Sequence, residues 1–335
     1  MSLIDIVIVN YNAGPWLGRV VAALHAQTFR DFRTIIVDNG SSDGSLDGLP
    51  NGPTSVEIVR AGKNLGFAKG NNLAIRSYVT AEWVVLLNPD AFPRPDWLER
   101  LLGAARANPQ YSFFGCRMLD ANDPTRLDGV GDVYHVSGQH WREGWGCLAA
   151  GAFLDPREIF APCGAAAMYR ADVLDAAGGF DEDYFCYSED VDLGFRLRLA
   201  GHRCLYVPDA VVHHVGSGIA GVESEFQLRY LQRNLVWTFV KNMPGRLFWL
   251  YLPYHFVLNG YVVLLYILRG RGRAIIRAKL EALRGLPAIW RKRRTLQSAR
   301  QASPADLLRI MRRGSLDSTC PDGTLPVARA QPRDA

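Results

Sequence analysis

Over the first hundred residues, hydrophobic positions fall into short β-branched runs separated by segments of helical period. Ile4–Asn10 (IDIVIVN), Phe32–Asp38 (FRTIIVD), Ser55–Arg60 and Glu82–Asn88 (EWVVLLN) read as strands. The stretches between them read as helices, the first starting at the Asn12-Ala13-Gly14-Pro15 turn and running through Leu24. Apolar strands alternating with helices predict an α/β fold with a mostly parallel, doubly wound sheet, in which ligands sit beyond the C-terminal strand ends. Asn10, Asp38 and Asn88 stand at three such ends. Residues 108–160 mix Gly, Asp and Trp with short apolar runs, and irregular strands and loops lining an acceptor site are expected there. From Ala161 the pattern sharpens. Cys163–Tyr169 reads as a strand, Asp172–Ala177 as a short helix closed by Gly178-Gly179, Ser188–Ala200 as a helix and Cys204–Val207 as a strand. His213 and His214 then fall in a loop beyond the Pro208-Asp209 turn, and a long helical pattern begins after about Glu223.

At 335 residues and 48% hydrophobic, the chain supports one sizeable α/β domain with an appendage and is not a disordered protein. The net charge of +5 conceals an asymmetry. Residues 269–313 hold fourteen Lys/Arg against only Glu281 and Asp306, so the remainder is net acidic. Such a basic block meets phosphates, those of nucleic acid or of anionic lipid. Six cysteines at 116, 147, 163, 186, 204 and 320 show neither C-x-x-C nor zinc-site spacing, and they are expected to be reduced thiols of a cytosolic protein. Asp5 interrupts the first apolar run and no basic leader precedes it, so a signal peptide is not expected.

The candidate chemistry lies in the turns. Asn10 and Asp38, ending neighbouring strands, are placed to hydrogen-bond the edge of a base, with Asn64–Asn72 (NLGFAKGNN) closing over it. Ordinary turn chemistry also accounts for the Asn-Gly and Asp-Gly pairs of residues 38–45. Neither G-x-G-x-x-G nor a P-loop motif follows the first strand, which removes the main support for dinucleotide oxidoreductases and P-loop enzymes. Asp90, in Asn88-Pro89-Asp90, sits where a carboxylate would meet a nucleotide diphosphate through Mg²⁺ or Mn²⁺, and a histidine of the 213–214 pair could add a nitrogen ligand; a strand ending in a Pro-Asp turn and a solvated histidine pair account for the same residues. Glu189, Asp190 and Asp192 crowd a helix start. Three acids there suit the helix dipole, and in a cleft they also raise one another's pKa, as a general base requires.

Taken in order, IVIVNYN (6–12), VDNGSSDGS (37–45), NLGFAKGNN (64–72), LLNPDAFPRPDWL (86–98), GAAAMYRADVLDAAGGFDEDYFCYSEDVDLGFRLRLAGHR (164–203) and PDAVVHHVGS (208–217) resemble the inverting family 2 glycosyltransferases of GT-A fold, particularly the bacterial rhamnosyltransferase-like members. The resemblance covers roughly residues 3–240. It implies that Asn10, Asn12, Asp38, Gly66, Phe67, Lys69, Asn71, Asn88 and Gly164 surround the substrates. It also implies Asp90 and His213 as metal ligands, with His214 a close competitor, and Asp190 as general base supported by Glu189 and Asp192. Asn88 stands where many members carry the first aspartate of a D-x-D motif. Gln232-Arg233-Asn234-Leu235-Val236-Trp237 departs from the Q-x-x-R-W of processive members, so transfer of one or a few sugars is expected. The donor is expected to be dTDP-L-rhamnose and the acceptor a lipid-linked saccharide of cell-surface polysaccharide. The alternatives are another hexose or galactofuranose from a UDP- or GDP-sugar, or an inactive saccharide- or lipid-binding subunit.

Leu247–Leu268 is 22 residues without Asp, Glu, Lys or Arg, long enough to span a bilayer. Pro253, His255, Asn259, Gly260 and seven aromatics suit an interfacial helix better. The following segment, Arg269–Arg294, sets Ile275, Ile276, Leu280, Leu283 and Leu286 beside a cationic face. A membrane-associating region over 241–313, on the cytoplasmic face and touching anionic lipid, is therefore expected, with packing on the catalytic domain or a partner subunit as the alternative. No nucleic-acid module accompanies the charge, so nucleic acid is not the expected partner. A catalytic domain over 1–240 precedes this region and a disordered tail over 314–335 follows it. Whether the chain forms a homo-oligomer is left open.

Overall fold

The computed structural model describes residues 2–216, 224–316, 320–321 and 323–324. Strand β1 (Ile4–Asn10) directs Ile4, Ile6 and Ile8 into one core and Val7 into another, which is why it is apolar almost throughout. It pairs in parallel with β2 (Phe32–Asp38) and β4 (Trp83–Leu87), and β2 pairs with β3 (Val56–Arg60). Helices α1 (Pro15–His25) and α2 (Gly66–Ser77) connect these strands. The short β5 (Ala91–Pro93) and α3 (Trp97–Ala107) follow β4.

The region expected to be irregular contains β6 (Phe113–Asp120), eight residues that are all buried. Arg117 and Asp120 mask its apolar pattern. The Arg117 guanidinium is consumed by the carbonyls of Ala149, Ala152 and Phe153. Three-residue strands complete the region: β7 (Leu127–Gly129), the antiparallel pair β8 (Asp132–Tyr134) and β9 (His140–Arg142), and β10 (Arg157–Ile159). Next, β11 (Ala166–Arg170) runs antiparallel between β4 and β6. Helices α4 (Ala171–Ala176) and α5 (Glu189–Leu199) follow. The last strand, β12 (Cys204–His214), does not stop at Val207: a register shift between Val207 and Val211 absorbs Pro208, and the strand resumes parallel to β6. His213 and His214 therefore lie on a strand and not in a loop. The main sheet runs β10-β12-β6-β11-β4-β1-β2-β3, mixed but mostly parallel.

Among the described residues four helices follow: α6 (Glu225–Asn242), α7 (Gly245–Leu268), α8 (Gly272–Ser298) and α9 (Pro304–Ile310). They share a third core with α5 and the β8–β9 hairpin, built around Tyr134, Phe160, Phe195, Trp237, Phe239, Met243, Phe248 and Ile289. The division expected at residue 240 thus falls inside α6. The stripe expected on α8 splits: Ile275 is buried with Ala278, Ala282 and Ile289, while Ile276, Leu280 and Leu283 stay exposed. Gly285 lets the Trp237 ring lie against α8, where any Cβ would meet it at 2.3 Å.

The cysteine expectation is corrected in part, because Cys147 and Cys320 form a disulfide across 173 residues. No local spacing could signal a pair that only the fold brings together. Cys116, Cys163, Cys186 and Cys204 are free. Most of the expected tail over 314–335 lies outside the described residues.

Candidate active site

The ends of β1 and β2 are stitched to each other. Asn10 Nδ2 donates to Asp38 Oδ1 at 3.2 Å, Ser41 Oγ at 3.0 Å and Ser45 Oγ at 2.9 Å. Asn12, at φ 50°, accepts the Ser42 N–H at 2.9 Å. Asn10 and Asp38, expected at the edge of a base, are buried and shape the loop that would receive it, with Asn10 Oδ1 left without a partner. Asn39, which the sequence reading passed over, links this loop to α2 through Gly66 O at 3.1 Å. The start of α2 is fixed in turn by the segment that precedes α5, since Phe67 N–H and Ala68 N–H both donate to Phe185 O. Gly66, at φ 81°, has no room for a side chain: a Cβ would meet the Phe185 ring at 2.6 Å and its carbonyl at 2.7 Å. Lys69 is exposed, 3.7 Å from Glu182. Asn71 turns back onto Phe67 O within its own helix, and half-buried Asn88 donates its backbone N–H to Ala165 O.

At the end of β4, buried Asp90 has Oδ1 3.4 Å from His214 Nε2. On the far side of that imidazole, Nδ1 is 2.8 Å from Asp128 Oδ2. Consecutive strand residues face opposite ways, so the histidine beside Asp90 is His214 and not the expected His213. His213 pairs with Phe92 of β5, and burial with the neighbouring Arg94 charge lowers its pKa. Burial also pulls His214 down, but Asp128 and Asp90 overcome this and push it up to about 9. Among the described residues, no group of three His, Cys, Asp or Glu side chains is gathered as a cation site.

The acidic cluster opens α5. Asp190 Oδ2 accepts the Gly164 N–H at 2.9 Å and Oδ1 accepts the Val191 N–H at 2.8 Å, so two amides orient the carboxylate. At Gly164 a Cβ would lie 3.3 Å from Asp190 Cβ and 3.4 Å from the Phe67 ring, so a side chain there would press on both. Glu189 is buried with Oε2 unpartnered, and its pKa is raised well above the carboxylate range by burial and then by the Asp190 charge. Asp192 is fully buried and plays a different part from either. It accepts from Tyr184 Oη, Arg196 Nε and Asn242 Nδ2, and pairs with Lys241 Nζ at 2.7 Å.

The preceding segment is strained: Phe185, Tyr187 and Ser188 have φ of 64°, 68° and 65°. Asn234 of α6 holds it by donating to the carbonyls of Tyr184, Cys186 and Tyr187, and Arg233 grips those of Asp183 and Tyr184. The β8–β9 hairpin supplies further residues that sequence reading missed. His140 Nε2 is 2.8 Å from Ser188 Oγ, Asp132 is buried with Oδ2 unpartnered, and Arg142 binds Asp128. No spacing in three-residue strands foretells this meeting.

A family model, Glycosyl transferase family 2, matches residues 5–178. The chain is 31% identical over 236 residues to the N-acetylglucosaminyl-diphospho-decaprenol L-rhamnosyltransferase of Mycobacterium tuberculosis, covering 64% of this chain and 76% of that one. Among solved structures it is similar to GalNAc-T7 with UDP, GalNAc and Mn2+ at TM-score 0.57 and 15% identity, covering 71% of this chain and 47% of that one. It is also similar to the mannosyltransferase PcManGT from Pyrobaculum calidifontis in complex with GDP-Man and Mn2+, at TM-score 0.51 and 18% identity, covering 92% and 86%. Sheet and likenesses together define a glycosyltransferase of GT-A fold. The chain belongs to glycosyl transferase family 2.

Proposed function

We propose that the enzyme transfers L-rhamnose, with inversion, from dTDP-L-rhamnose to a hydroxyl of a lipid-linked saccharide at the cytoplasmic membrane face. The observation that carries the chemistry is the Asp190 carboxylate, oriented by two backbone amides between the α2 loop and the β8–β9 hairpin. The sugar and acceptor class rest on the mycobacterial relative, whose name specifies an L-rhamnosyl group and an N-acetylglucosaminyl-diphospho-lipid. Asp190 accepts the proton of the acceptor hydroxyl. That oxygen forms the bond to the anomeric carbon as the bond to the nucleoside diphosphate breaks, its electron pair leaving on the phosphate oxygen. Asp90 and His214 fit a divalent cation, Mg²⁺ or Mn²⁺: one buried carboxylate and one imidazole face each other, the ring's other nitrogen being already engaged. When bound, such an ion offsets the charge gathering on the leaving diphosphate.

A donor panel tests the reading. With an N-acetylglucosaminyl-diphospho-lipid acceptor, nucleotide release from dTDP-L-rhamnose is expected to exceed that from UDP-galactofuranose, UDP-hexoses and GDP-mannose by at least about tenfold, the scale of a few missing pocket contacts. A UDP- or GDP-sugar turning over fastest would assign the alternative donor.

The helical hairpin supports a surface-lying attachment. Helix α7, with a mean hydropathy of 1.4 in its best window, leaves Trp249, Phe256, Val257, Tyr261 and Leu264 more than half exposed. Its midpoint is bolted to the catalytic unit, because His255 Nδ1 meets Ser137 O at 2.7 Å and Asn259 Oδ1 accepts from Lys279. Lys279 in turn binds Gln232 of α6. A helix so fastened along its side lies against a bilayer with the domain and does not cross it alone. The full-length triple variant Trp249→Glu, Phe256→Glu, Leu264→Glu is expected to lose at least about tenfold in sedimentation with anionic liposomes, since each buried apolar side chain contributes about 1.5–3 kcal/mol. Unchanged sedimentation would place the membrane contact elsewhere.

A further inference from the structure

Asp128 lies in the middle of β7 and is 1% exposed. Its Oδ2 meets two donors, His214 Nδ1 at 2.8 Å and Arg142 Nη1 at 2.5 Å. Room for the second is built into the backbone, because a Cβ on Gly129 would meet Arg142 Cγ at 2.2 Å. Arg142 Nη2 reaches on to Cys163 Sγ at 2.9 Å, and the next residue, Gly164, donates its N–H to Asp190. One hydrogen-bonded path therefore runs from Asp90 through His214, Asp128 and Arg142 to the peptide that orients Asp190.

We infer that Asp128 is the positioning residue for His214, fixing its proton on Nδ1 so that the Nε2 lone pair is presented beside Asp90. The inference rests on the reading that Asp90 and His214 hold the divalent cation. An imidazole ligates through one nitrogen only, and a carboxylate on the other decides which one. Arg142 keeps that carboxylate in place, since Asp128 cannot turn toward the cation without abandoning the half-buried guanidinium.

The test uses full-length protein with Mn²⁺ and dTDP as probes, binding being read by calorimetry. Asp128→Asn is expected to weaken Mn²⁺ affinity about 10–100-fold, the range for loss of a partner behind a metal-binding histidine. The metal-free variant should melt lower, because Arg142 and His214 lose a buried partner, but excess Mn²⁺ should restore kcat, so that the defect appears in the metal concentration required. Should Asp128→Asn not fold, Asp128→Ser removes the same carboxylate with less bulk and carries the same expectation. His214→Ala separates the two layers of the argument. If it abolishes Mn²⁺ binding while the Asp128 variants bind within about twofold of wild type, well inside that 10–100-fold range, the inference is overturned and the cation reading stands. If His214→Ala binds Mn²⁺ as the wild type does, the cation reading fails and the inference with it.

Discussion

Asp190→Asn lowers kcat by about 10²–10⁴-fold while nucleoside diphosphate binding survives, the span expected when a positioned general base is lost. An amide keeps the shape and one acceptor for the Gly164 N–H but cannot take up the hydroxyl proton. Glu189→Gln supplies the contrast. Burial and the Asp190 charge raise the Glu189 pKa and so favour its neutral form, which an amide resembles. Its turnover is expected within about threefold of wild type, a small fraction of what a general base contributes. Steady-state kinetics on both variants separates the two acids, and a Glu189→Gln defect as deep as that of Asp190→Asn would move the base to Glu189.

Lys241→Met costs about 3 kcal/mol of stability, because breaking a buried ion pair strands its acids. Lys241 is 2% exposed and pairs with Asp181 Oδ2 at 2.6 Å and Asp192 Oδ1 at 2.7 Å. The loss sits at the low end for such pairs because Arg196 still faces Asp192 and Lys292 still faces Asp181. Thermal melting should fall by roughly 4 °C. The pH dependence follows from the same contacts. Burial raises both carboxyls, and the cations, Lys241 foremost, reverse this and bring them below the ordinary value of 3.8. Groups depressed in the folded state contribute stability above that value and lose it as the pH falls through their folded pKa. The wild-type protein should therefore lose more melting temperature below about pH 4 than Lys241→Met does. Equal acid sensitivity would show that the pair does not hold α5 to α6.

Much of this architecture is legible in the residues. Asn10 and Asp38 end nearly continuous β-branched apolar runs, and both stand at strand ends in the structure. Gly66 and Gly164 occur within continuous motifs, and the crowding of Gly66 against Phe185 explains why glycine stands there. What escaped is what only tertiary pairing creates. Choosing His214 over His213 requires knowing that β12 continues through the shift at Pro208, since one residue of register exchanges the two faces. Asp128, Asp132, His140 and Arg142 sit on strands of three residues, too short for any periodicity to show. Lys241 reads as one more cation near a basic block until α6 sets it against Asp192.

The anomeric configuration of the product tests the central claim most directly. With dTDP-L-rhamnose, a divalent cation and an N-acetylglucosaminyl-diphospho-lipid, NMR of the isolated disaccharide should show the rhamnosyl linkage inverted relative to the donor, as a single displacement aided by Asp190 requires. A product that retains the donor configuration would contradict it.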